Sequence, residues 1–327
     1  MDLLIALLAV FILIYLANLA QATPREQLVT IVERLLVAFN LPALLLGLLL
    51  LTGVVDGALS GEGSTDAFTA PRVAGLTLLL SSLWGLLATT RRLRVSLARL
   101  IPLDPSSPVH TLALILSGYF VGNVVLTLTQ GGLEALAETT TPTSIGEIVA
   151  SQLLYVALAV LGVGALTRRS WQELLDRLGL ERLTEGELTR SLRWVPILIL
   201  LQFLALISFL LVNPEVAETL NDVNTLLLGD IDTVGEWFIL ALAAGVGEEV
   251  LFRGALQPVL GLWATSLLFA IAHIQYGITP ATLLIFVVGL ILGRIRMRIN
   301  TTAAVVVHFG YNFALGLLQL LASAFAT

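Results

Sequence analysis

The 327-residue chain has no cysteine, no lysine and only three histidines. Without cysteine it forms neither disulfides nor thiolate metal sites, and its redox compartment stays open. Charged residues make up 12% of the chain, against about 25% in an ordinary globular domain. No basic patch with interleaved aromatics exists, so nucleic acid is not expected as a partner. Any metal, zinc being the usual hydrolytic choice, would have to be held by His, Glu, Asp or Asn.

What the chain has in quantity is apolar surface: 57% hydrophobic residues and a mean hydropathy of +0.96. The expected fold is all-α, a polytopic transmembrane helix bundle of about ten spans, with the lipid bilayer as its solvent. Apolar segments recur near residues 3–20, 35–55, 73–90, 110–129, 148–167, 192–213, 235–257, 259–276, 281–295 and 301–325, the eighth and ninth being short for a crossing. The first resembles a signal peptide at Ala20-Gln21-Ala22, but its start, Met1-Asp2, carries no positive charge, so it reads as a span.

All seventeen basic residues are Arg. Apart from Arg72 and Arg253 they fall in alternate loops, and acidic residues occupy the loops between. The positive-inside rule then predicts a multi-pass cell-membrane protein with both termini external. The organisation expected is an N-terminal transmembrane region, 1–167, of about five spans and no assigned role; a cytoplasmic amphipathic loop, 168–191; and a C-terminal region, 192–327. Within the loop, Ser170-Trp-Gln-Glu173 is a capping box followed by Leu174, Leu175 and Leu178 at helical spacing, which predicts a short helix lying on the cytoplasmic face. Thr184-Glu-Gly-Glu187 is a second capping box. The Gly- and Ser-rich stretch 60–69 and the Thr-rich stretch 139–143 read as external loops.

One stretch is expensive. Between Trp237 and Leu256, otherwise apolar enough for a bilayer, stand Glu248, Glu249 and Arg253. A charge at a helix centre costs roughly 2.5–3.5 kcal/mol, so three isolated charges would cost roughly 8–10 kcal/mol, which the apolar neighbours only about balance. Arg253 lies four residues after Glu249 on the same helical face and can hold that carboxylate as an ion pair; Glu248, about 100° away, stays free. An inert clamp between helices accounts for one Glu–Arg pair, but not for the second acid.

Two of the three histidines also lie in apolar runs. His110, beside Pro108 at a span mouth, is an interfacial residue. His273 ends Phe269-Ala-Ile-Ala-His273, and His308 opens His308-Phe-Gly-Tyr-Asn312, with Asn312 one turn along. Taken singly, each is accounted for as a core histidine bonded to a backbone carbonyl; together with the glutamates they point to one site. Counting about 1.5 Å per residue from the cytoplasmic ends puts Glu248 about 15 Å deep, His308 about 10 Å and His273 about 20 Å, which fits one cavity only if the eighth span is tilted or broken.

Glu248 with a nearby His can deprotonate a water, and a second His with an Asn can stabilise the oxyanion formed on an attacked carbonyl. That is acyl hydrolysis without a side-chain nucleophile, consistent with the missing Cys and the lack of a G-x-S-x-G elbow. Glu248, His273 and His308 would also suit a hydrolytic divalent metal such as zinc, although no H-E-x-x-H occurs.

Glu248-Glu249-Val-Leu-Phe-Arg253, Phe269-Ala-Ile-Ala-His273 and His308-Phe-Gly-Tyr-Asn312 stand in that order on separate apolar runs. In this trio the chain, over about residues 190–325, resembles the CAAX protease and bacteriocin-processing family of intramembrane proteases, which includes proteins like CAAX prenyl protease 2. The resemblance implies an intramembrane endopeptidase acting on a membrane peptide or protein, either glutamate-dependent or a metalloprotease. Its expected catalytic residues are Glu248, Glu249, Arg253, His273, His308 and Asn312, with Glu248 and His273 activating water and His308 and Asn312 holding the oxyanion. Eukaryotic members remove a tripeptide after a prenylated Cys; others act on different peptides. From the residues alone, a proton- or cation-coupled transporter and a catalytically silent membrane scaffold stay open as alternatives.

Overall fold

The computed structural model describes residues 2–23, 25–54, 69–129, 143–277 and 279–326. Every regular element named among them is helical, and nine helices are long and apolar enough to cross a membrane. The chain is an integral, multi-pass helical bundle. Rows of exposed leucine and isoleucine, such as Leu200, Leu204, Ile207 and Leu211, are the surface that such a bundle turns to lipid. The loops expected at 60–69 and 139–143 fall, but for Thr69 and Thr143, outside the described residues.

By compactness the chain forms two units. The first contains α1 (Asp2–Ala22), α2 (Glu26–Thr52), α3 (Thr69–Ala88), α4 (Arg91–Leu97) and α5 (Pro108–Thr129). Its helices α2 and α3 meet backbone to backbone, since a Cβ on Gly47 would stand 2.8 Å from the Gly75 carbonyl oxygen. Arg94, counted above as a loop charge, is instead 4% exposed. It is held by Thr111 and by Glu33, the latter at 3.5 Å. His110 accepts a 2.9 Å hydrogen bond from the Asp104 amide, as an interfacial histidine can.

The second unit holds α6 (Ile145–Gly162), α7 (Trp171–Leu178), α8 (Glu185–Leu192), α9 (Trp194–Val212), α10 (Pro214–Leu228), α11 (Val234–Glu248), a π-helical segment (Glu249–Leu256), α12 (Gln257–Ile271), a 3₁₀ turn (Ile274–Tyr276), α13 (Pro280–Arg298) and α14 (Thr301–Ala326). The fifth expected span, α6, thus belongs with the C-terminal helices. Both capping boxes form: Ser170 and Thr184 each accept from the amide three residues on, and Glu173 and Glu187 reciprocate. The apolar face of α7, expected against lipid, is turned into the protein, where Leu174 and Leu178 pack with Ala159 and Val250. Helix α10 was expected only as an acidic loop; its Ala217 and Leu220 pack with Phe209.

The seventh and eighth expected spans run from 234 to 271 with no loop between them, as helical limbs joined at a kink. The kink is at Gly261, whose φ of 78° and ψ of 174° belong to no helix and lie in a region open essentially to glycine alone. The chain doubles back there. A straight helix would separate residues 248 and 273 by about 37 Å, whereas their side chains approach to 3.9 Å.

Candidate active site

The site is assembled on the π-helical segment. Its wider turn and i→i+5 bonding are a rare local geometry that concentrates at functional sites. It begins where the two acids stand, so Glu248 closes α11 and Glu249 opens the wide turns.

The two carboxylates have different surroundings. Glu249 and Arg253 are both 0% exposed, with Arg253 Nε donating to Glu249 Oε2 at 3.0 Å. The other oxygen, Oε1, accepts from His308 Nδ1 at 3.0 Å. Because a carboxylate only accepts, His308 carries its proton on Nδ1, which leaves Nε2 on the far side of the ring. The result is a buried chain Arg253–Glu249–His308 linking the π segment to α14.

Glu248 stays outside that chain. Its side chain is 12% exposed and stands 3.9 Å, Oε2 to Nε2, from His273, itself 22% exposed. That is too long for a direct hydrogen bond. His273 Nδ1 donates at 2.9 Å to the Phe269 carbonyl one turn back, so the neutral ring presents Nε2 as an acceptor toward Glu248. Two acceptors facing each other need a donor between them.

Phe269, 2% exposed, is the hub of the packing. Its ring lies 4.9 Å from that of His273, 5.9 Å from His308 and 5.4 Å from Phe252, and the Arg253 guanidinium sits over it at 4.7 Å. The Tyr276 ring lies near-parallel to that of His273, ring centroids 6.5 Å apart and planes at 11°, and its hydroxyl donates to Asn224 of α10 at 3.1 Å.

Five of the six expected residues therefore converge through side-chain contacts: Glu248 with His273, and Glu249 with Arg253 and His308. Asn312 follows one turn after His308 on α14, half-buried, with no hydrogen bond to the other five. Gln152 of α6 was missed. Its Nε2 lies 3.5 Å from Glu248 Oε1, at the long limit of a hydrogen bond, and it fits because position 247 is glycine: a Cβ there would meet Gln152 Oε1 at 2.3 Å. An amide inside the apolar run 148–167 was the available signal.

The metal set Glu248, His273 and His308 does not form. Among the described residues no group of three or more His, Asp or Glu side chains is placed to hold a metal ion. The donor arrangement does not fit a hydrolytic zinc, the metalloprotease designation is unsupported, and no step below runs through a metal.

A helical membrane bundle with paired acids and histidines gathered in its C-terminal half is the class these features define. Residues 230–314 match the family described as type II CAAX prenyl endopeptidase Rce1-like, in agreement with the resemblance read from the three motifs. The matched residues contain all six candidate residues, and the match points to a protease of the CAAX intramembrane endopeptidase kind. Neither a curated protein nor a solved structure matches the chain.

Proposed function

We infer that the protein hydrolyses peptide bonds at membrane depth with a water held between Glu248 and His273, residues 192–327 forming the protease region. The observation that carries this is the 3.9 Å separation of two acceptors, Glu248 Oε2 and His273 Nε2. A water donating one 2.8 Å hydrogen bond to each would span about 4.4 Å at its own bond angle, so an opening of about half an ångström seats it. With both protons so engaged, its lone pairs face a substrate carbonyl. Glu248 takes the proton as attack proceeds and passes it to the leaving amine.

The oxyanion falls to His308 and Asn312. For this His308 has to donate from Nε2 as well as Nδ1, and the Glu249 carboxylate on its Nδ1 side supplies the counter-charge. Arg253 Nε holds the other oxygen of the Glu249 carboxylate. Asn312 reaches the oxyanion from the next turn of α14 once substrate is bound.

The substrate is a peptide or protein presented from the bilayer, with both termini of the enzyme on the external side of a cell membrane. The name of the matched family supplies the first probe, a prenylated C-terminal peptide beside its unprenylated twin. In liposomes, Glu248→Gln and His273→Ala are each expected to lower kcat by about 10²–10⁴-fold, and cleavage is expected to survive exhaustive chelation. Activity that persists in both variants removes the mechanism. Activity lost on chelation and regained with one metal ion per chain restores the metal.

A further inference from the structure

We propose that Arg177 is a positioning residue for the reaction, and that the C-terminal end of α7 fixes the separation of the two helices that carry Glu249 and His308. The inference rests on the reading of Glu249 and His308 above. It adds a part of the machine from outside the matched residues 230–314.

Two backbone positions receive hydrogen bonds from outside their own helices. Gly254 lies in the π segment, and Pro258, four residues on, has no N–H to give its carbonyl an α-helical bond. At the start of α14, the first amides have no preceding turn to bond. The end of α7 supplies both needs. Arg177 Nη1 donates to the Gly254 oxygen at 2.8 Å. The Gly179 carbonyl accepts from the amides of Thr301 at 2.9 Å and Thr302 at 3.3 Å, while Thr301 Oγ1 donates to the Leu178 carbonyl at 2.6 Å.

The packing permits no slack. Gly179 adopts φ +70°, and a Cβ there would stand 2.9 Å from Thr301 Oγ1. A Cβ on Gly254 would stand 3.0 Å from both Cδ2 and the carbonyl oxygen of Leu178. Leu178, 1% exposed, packs in the same cluster as Val250, the residue next to Glu249. Arg177, Leu178 and Gly179 thus tie the π segment five residues beyond Glu249 to α14 two turns before His308. A shift of either anchor is transmitted along a rigid helix to the 3.0 Å hydrogen bond between Glu249 and His308.

The test uses the full chain and has a readout that needs no catalysis. With three histidines in the sequence, ¹⁵N-histidine labelling in bicelles gives a His308 Nδ1–H signal assignable by its loss in His308→Gln. In Arg177→Met this signal is expected to move upfield or to exchange with water at least fivefold faster, and kcat to fall at least tenfold with KM within twofold. Arg177→Lys keeps a donor for Gly254 and is expected to restore the signal and to bring kcat to within threefold of wild type. Thr301→Val loosens the other anchor and should reproduce the Arg177→Met effect; it decides the matter if Arg177→Met does not fold. An unchanged His308 signal in both Arg177→Met and Thr301→Val overturns the proposal. Equal losses in Arg177→Met and Arg177→Lys with that signal unmoved do the same. Should wild type and Glu248→Gln be equally inactive, the proteolytic reading fails, while the His308 signal still decides whether α7 positions the pair.

Discussion

Replacing Arg253 by Met separates the energetics of the buried charges from their chemistry. Arg253 and Glu249 are both fully buried, and removing one member of such a pair leaves an uncompensated charge at a cost of about 3–5 kcal/mol. His308 still donates to Glu249 Oε1, which moves the expectation toward the lower end. The lost guanidinium over Phe269 moves it back by about 2 kcal/mol, the size of a desolvated cation–π contact, while the Met side chain keeps most of the stem's packing. The expected loss is about 5 kcal/mol, read from reversible SDS unfolding in bicelles. Glu249→Gln should cost a similar amount, because it strands the guanidinium. In Glu249→Gln/Arg253→Met neither charge remains, so the double variant should be about 2–3 kcal/mol more stable than the sum of the singles implies. Additivity within about 0.5 kcal/mol, or a loss below about 1 kcal/mol for Arg253→Met, would refute the claim that this pair is a mutually dependent buried unit.

Gly261→Ala forces a Cβ into a backbone region reserved for glycine and should cost about 1–3 kcal/mol in the same unfolding assay, with cleavage falling in step; no measurable loss would show that the reversal tolerates another conformation. Phe269→Ala should cost about 3–5 kcal/mol, since the ring supports both histidines and Arg253. Ser170→Ala should cost about 1 kcal/mol at the start of α7. The Ser170 amide and then its hydroxyl hold the Glu173 carboxyl below the usual range, so this cap contributes stability at neutral pH that is lost as pH falls through the lowered value. A ¹³C titration of Glu173 should show that value rising toward the ordinary one in Ser170→Ala, and no difference between the two proteins would contradict the cap's role.

Hydrophobic run length made the spans legible, because a bilayer forces backbone satisfaction within each segment and leaves little else possible. The three motifs likewise placed Glu248, Glu249, Arg253, His273 and His308 on runs that meet in space. Helix α10 was hidden by counting charge alone: Glu215, Glu218 and Asp222 looked like an acidic loop, although Ala217, Leu220 and Val223 recur at helical spacing beneath them. Arg94 and Arg177 were counted as loop charges, and only tertiary contact reveals that one is buried against Thr111 and the other reaches Gly254. The π segment has no sequence rule of its own. Gln152 lay in a span that no motif marked.

The tandem of acids follows from the geometry of one helix serving several neighbours. Consecutive residues on a helix point about 100° apart, so one turn can present Glu249 to α14 and Glu248 toward α6 and the end of α12. A single glutamate cannot do both, because the carboxylate that accepts from Arg253 and His308 has spent its oxygens on fixed donors. The reversal at Gly261 then returns the chain along itself and sets His273 opposite the acid that remains unspent. The depth mismatch between residues 248 and 273 is met because the second limb is short: α12 ends at Ile271, and His273 stands just past its last turn, where a ring can face inward without interrupting a helix.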